Sequence, residues 1–216
     1  VRAVNDAGPS PWSESSPPIN TIQPPDPPAN LQIRTSSTNG TATWDEVLTS
    51  TIKPLTGYRL LIDGVQECQT SATSCTFSGL TAGVAYKFSV AAYGTAGQGN
   101  GSPEQSITTL GVPTGFTATW QTTSSMRLSW VAPVGTGNSP VIGYRVQYRI
   151  TGATEWTTTT TTATSLTVEN LSVGQPYEVR VAAENAVGVG TYTSTTSMAA
   201  PVAPSTHPAK PSGREH

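Results

Sequence analysis

The sequence predicts an all-β protein made of tandem β-sandwiches, and three observations carry that prediction. One short stretch occurs three times: Val1-Arg2-Ala3-Val4-Asn5-Asp6-Ala7-Gly8, Val90-Ala91-Ala92-Tyr93-Gly94-Thr95-Ala96-Gly97 and Val181-Ala182-Ala183-Glu184-Asn185-Ala186-Val187-Gly188. Each copy is an apolar strand running into a small, polar turn closed by glycine, and the closing glycines stand 89 and 91 residues apart. A period of about 90 residues is one whole small sandwich, too long for a propeller blade or a solenoid turn. Between the copies lie short alternating apolar and polar segments bounded by Gly, Pro, Asn and Asp, and no window carries a helical period.

Taken in order, residues 1–22 read as the last strand pair of a sandwich: Val1 to Val4, a turn from Asn5 to Pro11, and a returning strand from Trp12 to Ile22. An isolated hairpin is marginal in water, so this segment is expected to be ordered by something outside itself, upstream sequence or another copy of the chain. Pro24-Pro25-Asp26-Pro27-Pro28 follows as a stiff connector. The first full domain is expected over 23–109. Its strands lie at Leu31 to Ile33, Thr41 to Trp44, Gly57 to Ile62, Val65 to Gln69, Cys75 to Phe77, Tyr86 to Val90 and Gln105 to Thr108. Asp63-Gly64 between two β-runs is a hairpin signal. The second full domain, 110–200, repeats the order. Phe116, Ala118 and Trp120 share one face of its first strand, and Met126 to Trp130, Gly143 to Ile150, a threonine-rich strand after Glu155-Trp156, Leu166 to Val168, Tyr177 to Val181 and Thr191 to Met198 follow. Residues 201–216, with four prolines and no apolar pattern, read as linker or tail.

Composition narrows the function classes. Charged residues make up 11% of the 216, against roughly 25% in an ordinary globular protein, and serine and threonine take their place. A net charge of −2 offers no basic footprint for nucleic acid, and no apolar run approaches the ~20 residues needed to cross a bilayer. Cys68 and Cys75 are the only cysteines. A metal site needs about four ligands, and the spacing is not that of a Cys-x-x-Cys redox motif. The natural reading is a disulfide closing a short hairpin, worth about 2.5 kcal/mol on the loop-entropy model and pointing to an oxidising, extracellular setting; two free buried thiols are the alternative.

Both full repeats resemble fibronectin type III domains. The matching residues are Trp44 and Trp130 on the second strand, Gly57-Tyr58 and Gly143-Tyr144 on the third, and Leu80 with Tyr86 and Leu171 with Tyr177 at the turn into the sixth. Order and spacing agree across both domains, and residues 1–22 are similar to the end of a third copy. The resemblance implies immunoglobulin-like sandwiches of seven strands each. It places Trp44, Tyr58, Leu80, Tyr86, Trp130, Tyr144, Leu171 and Tyr177 in the cores, with Tyr86 and Tyr177 as tyrosine corners. The Cys hairpin and threonine-rich strands are similar to copies in secreted bacterial proteins, which act as spacers, adhesion modules or appendages of polysaccharide-degrading enzymes. There is no Arg-Gly-Asp and no Trp-Ser-x-Trp-Ser, so integrin binding and cytokine-receptor roles do not carry over.

No set of residues suggests catalysis, a cofactor or a metal. His207 and His216 lie in the predicted tail, and the adjacent Asp45 and Glu46 would point to opposite faces of a strand. Asp26 and Asp63 lack the clustered oxygens that Ca²⁺ takes. The Asn-x-Ser/Thr triplets at Asn39, Asn100 and Asn170 are close to what this composition generates by chance and matter only in a glycosylating secretory pathway. The candidates for a binding surface are the large rings outside core positions: Trp12, Trp156, Tyr93 and Tyr192. The expected function is a non-catalytic extracellular spacer or adhesion module that meets protein or polysaccharide at the cell surface. The alternatives are an accessory segment of a secreted hydrolase, for which an open aromatic platform would matter, and a subunit of a filament or viral appendage assembled through residues 1–22.

Overall fold

The computed structural model describes residues 1–15 and 21–201. Eighteen strands occur among them and no helix. A two-stranded hairpin, β1 (Val4–Asn5) and β2 (Gly8–Pro9), comes first. The first sandwich contains β3 (Gln32–Thr35), β4 (Gly40–Thr43), β5 (Gly57–Ile62), β6 (Val65–Thr70), β7 (Ser74–Phe77), β8 (Ala85–Gly94), β9 (Gly97–Gly101) and β10 (Gln105–Thr108). One sheet has the order β3-β4-β7, the other β10-β8-β5-β6 with β9 also on β8. The second sandwich contains β11 (Thr114–Trp120), β12 (Met126–Val131), β13 (Val141–Ile150), β14 (Thr157–Thr161), β15 (Ser165–Val168), β16 (Tyr177–Asn185), β17 (Gly188–Val189) and β18 (Thr196–Met198). Its sheets run β11-β12-β15 and β14-β13-β16-β17, with β18 also on β16. Both are antiparallel sandwiches of seven strands whose last strand is broken in two.

Each core is an apolar cluster between its own pair of sheets. Ile33, Ala42, Leu60, Phe88 and Val90 fill the first, and Met126, Leu128, Val146, Val179 and Val181 the second. Trp44 lies edge-on to Tyr58 with ring centroids 5.5 Å apart, and Trp130 stands to Tyr144 in the same way at 5.3 Å. Neither indole N–H has a hydrogen-bond partner among the described residues, an omission worth about 1–3 kcal/mol. The ~150–250 Å² that each ring hides, at about 25 cal/mol per Å², outweighs it. Leu80 and Leu171 are buried, Tyr177 is buried and Tyr86 half-buried against its core. At both corners the backbone donates to the ring hydroxyl: Thr81 N to Tyr86 at 3.0 Å and Ser172 N to Tyr177 at 2.9 Å.

The threefold repeat of the sequence is threefold in hydrogen bonding as well. Val90 N donates to Ser102 Oγ and Ser102 N to the Val90 carbonyl; Val181 and Thr193 form the same reciprocal pair. In the first hairpin Val1 and Ser13 do so too, at 3.0 and 2.8 Å. Regular strand there ends at Pro9, earlier than the Trp12–Ile22 strand expected. Prolines at 9 and 11 supply no N–H to a ladder, and residues 16–20 lie outside the described residues. The expected tail falls almost wholly outside them, at 202–216. No helix among the described residues is long and apolar enough to cross a membrane.

Cys68 and Cys75 form a disulfide. The bridge does not close a paired hairpin: β6 pairs with β5, β7 pairs with β4, and the bond therefore ties the edges of the two sheets together. The Asp63-Gly64 turn that launches β6 has φ of 50° and 79° at its two residues, the left-handed pair of a tight hairpin turn. Asp63 Oδ1 also accepts from Lys87 N at 2.8 Å. Replacing both cysteines by serine is expected to lower the stability of the first sandwich by about 2–3 kcal/mol. Amide exchange should accelerate in β4 and β7 and stay unchanged in β12 and β15; equal acceleration in both sandwiches would contradict this assignment.

Candidate functional site

The outward face of β14-β13-β16 collects three arginines, two glutamates and a glutamine of the second sandwich. Along β13 the inward Tyr144, Val146 and Tyr148 alternate with outward Arg145, Gln147 and Arg149, a consequence of the two-residue period. Register places Arg149 opposite Glu178 and Gln147 opposite Arg180. Arg149 Nε donates to Glu178 Oε2 at 2.7 Å, and Arg180 Nε to Gln147 Oε1 at 2.8 Å. Arg145 and Glu184 make a two-pronged pair at 3.0 and 3.1 Å. The hydrogen bond and charge of Glu184 raise the pKa of Arg145 further.

Across this face lies a ladder of rings and guanidiniums. Arg149 and Arg180 each place their guanidinium carbon 4.2 Å from the Trp156 ring centroid. They occupy levels two residues apart on their strands, about 7 Å, so the indole lies between them. Arg180 also stands 4.6 Å from the Tyr192 ring. Burial pushes the Tyr192 hydroxyl up despite the opposing charges of Arg180 and Arg145, and burial also raises Tyr144.

The same arrangement recurs in smaller form. In the first sandwich Arg59 covers Tyr93 at 4.8 Å and donates to Gln98 Oε1 at 3.1 Å, while the Tyr93 hydroxyl accepts from Gln69 at 2.8 Å. In the hairpin Arg2 lies 4.8 Å over Trp12. Thus each of the four rings singled out for binding carries at least one arginine of its own chain. Sequence reasoning found the rings and missed the arginines. They sit one or two strands away, and only register brings them onto the same face. Trp156, Tyr93 and Tyr192 are half-buried; Trp12 is 70% exposed.

The carboxylates weighed for chemistry are engaged singly. Asp45 accepts from Asn30 at 2.7 Å, and Asp26 pairs with Lys53 at 2.6 Å. Among the described residues no three His, Cys, Asp or Glu side chains are grouped to hold a metal, and both histidines lie outside the described residues. Asn39, Asn100 and Asn170 are exposed.

Two antiparallel sandwiches in tandem, each with a buried Trp–Tyr pair and a tyrosine corner, define a protein of immunoglobulin-like modules. The fibronectin type III domain profile matches residues 26–109 and 111–199, and the chain belongs to that family. It is 30% identical to chitinase A1 of Niallia circulans over 82% of its length and 34% identical to exoglucanase B of Cellulomonas fimi over 67%. It is 29% identical to human neogenin over 88%. The chain spans 26% of the length of the chitinase and 14% of the exoglucanase and of neogenin.

Removing the central ring of the ladder tests whether it is structural. Trp156→Ala is expected to destabilise the second sandwich by about 2–3 kcal/mol, the sum of two cation–ring contacts and lost area. Amide exchange in β13 and β16 reads the effect, and a change under about 0.5 kcal/mol would mean that the ladder contributes little.

Proposed function

We propose that this chain is a non-catalytic extracellular module of a larger multidomain protein, a spacer that sets distance between its neighbours. The observation that carries this reading is the arginine cover on all four candidate rings. An aromatic platform for a sugar ring needs a bare, flat face, and the Trp156 indole has two guanidiniums packed against it. Trp156, Tyr93 and Tyr192 are half-buried and pack on the sheet surface, and Trp12 alone of the four is exposed. The disulfide between sheet edges supports an oxidising compartment. The relatives named as chitinase and exoglucanase support a place within a polysaccharide-degrading enzyme, and neogenin supports a wider range of hosts for such modules.

In this reading residues 1–22 are the closing strand pair of one fibronectin type III copy, 23–109 and 110–200 are two complete copies, and 201–216 are a tail or linker, 202–216 lying outside the described residues.

Sedimentation with insoluble chitin and with cellulose tests the reading. The chain is expected to stay in the supernatant, as are Trp156→Ala and Trp12→Ala. Saturable retention that Trp12→Ala abolishes would overturn the spacer in favour of a carbohydrate-binding accessory module acting through the one exposed indole.

A further inference from the structure

The two sandwiches meet with no free linker between them. Thr109 and Leu110 join the strand β10 to the approach of β11, and both are fully buried. Thr109 belongs to the first sandwich, its hydroxyl donating to the Thr81 carbonyl at 2.6 Å and accepting from Val84 N at 3.1 Å. The Leu110 side chain sits in the second core. Its backbone faces the other way: Leu110 N donates to the Ser36 carbonyl at 3.2 Å, and its own carbonyl accepts from Ser37 Oγ at 2.7 Å.

Around this connection the turn after β3 meets two loops of the second sandwich. Thr35 N donates to the Gly137 carbonyl at 2.7 Å, and Gly137 N donates to Thr108 at 3.0 Å. Asn138 Nδ2 reaches the Ile33 carbonyl at 2.8 Å, and Thr191 N reaches Ser37 Oγ at 2.9 Å. Asn185, 2% exposed, is at the centre. Its amide nitrogen donates to the carbonyls of Thr35 at 2.8 Å and Thr136 at 3.0 Å. Its oxygen accepts from Val187 N at 3.0 Å and Gly188 N at 3.2 Å. Two donors and two lone pairs are the whole capacity of the side chain, and all are used. Glycine is required where the backbones approach: a Cβ at Gly137 would collide with the Thr35 carbonyl, and one at Gly135 with the Thr109 carbonyl.

A joint of this kind has one angle. Apolar surfaces can slide, but hydrogen bonds are directional, and each buried group left unpaired by bending costs about 1–3 kcal/mol. We infer that the two complete sandwiches form a single rigid body, with Asn185 as the latch across their junction. The latch belongs to individual hairpin tips and not to the repeat as such. Asn5 occupies the same position in the first hairpin and makes the same turn bond, from Ala7 N at 2.9 Å. In the first sandwich the position is Gly94, where a side chain would strike the Pro54 carbonyl. The inference stands on the junction alone and holds whatever the module's surface does or does not bind.

Residual dipolar couplings of the full chain in a weakly aligning medium test it. The expected result is one alignment tensor that fits both sandwiches. Asn185→Asp keeps the oxygen that closes the turn but sets a carboxylate oxygen against two carbonyls. It should split the couplings into two tensors of different magnitude, each sandwich still fitting its own coordinates. Ser37→Ala, which removes the hydroxyl between Leu110 and Thr191, should do the same, and Asn5→Asp should leave the single tensor intact. Two independent tensors in the unaltered chain, or a single tensor surviving in both Asn185→Asp and Ser37→Ala, would overturn the inference. Neither result bears on the chitin and cellulose sedimentation, so the two readings fail separately.

Discussion

The contact on which each sandwich depends is a tryptophan set edge-on against a tyrosine between two sheets. Trp44 with Tyr58 and Trp130 with Tyr144 span the gap that the strands leave, and the aliphatic residues pack around them. Each tyrosine does further work where it can. Tyr58 takes the Val47 N–H at 2.9 Å, which pins the loop after β4 to the core. Among the described residues the Trp44 and Trp130 indole nitrogens do no such work, so these tryptophans act through area and shape. That explains why a chain with few large apolar residues places its rings at equivalent positions in both copies.

Charge is scarce in this chain, and four of its eight arginines are spent on aromatic faces. Arg2, Arg59, Arg149 and Arg180 each lie over a ring. Glu178 and Glu184 pair with Arg149 and Arg145 on the same sheet face, while Arg180 donates to the neutral Gln147. A guanidinium is planar and weakly hydrated, so it covers a ring at small desolvation cost. The result, on the second sandwich, is a face whose rings and guanidiniums are packed on one another. A large exposed ring and a counter-charge are the usual raw material of a binding site, and here they are already paired.

The junction obeys a different rule from the cores. The cores are apolar and tolerate some repacking, whereas the seam at Thr35, Ser37, Thr109 and Asn185 is polar, buried and directional. Thr35 Oγ1 is its one buried hydroxyl without a partner among the described residues, while its backbone N–H and carbonyl are both engaged across the seam. The proline run at 24–28 was the expected source of stiffness between modules. Between the two complete copies that role falls instead to two buried residues and a side-chain amide.

Much of the fold was legible in the residue order, because the period of about 90 residues, the strand alternation and the glycine-closed turns are local patterns that survive without tertiary context. The disulfide partners could be named because there were only two cysteines, although which edges they join depended on sheet assignment. The rings expected in the cores were named from the family resemblance, and Trp44, Tyr58, Trp130 and Tyr144 are buried while Tyr86 is half-buried. The arginine cover was not legible: Trp156 and Arg180 are 24 residues apart in the chain, and only the β13–β16 register sets them on one face. Nor could Asn185 be told from Asn5, since both close the same turn with the same atoms. By itself the sequence determined what each stretch becomes, because strand period, turn chemistry and ring burial are decided within a few residues. Only the tertiary structure decided what each polar group meets, because a hydrogen bond or a cation over a ring forms with whichever partner the packing of distant strands brings within reach.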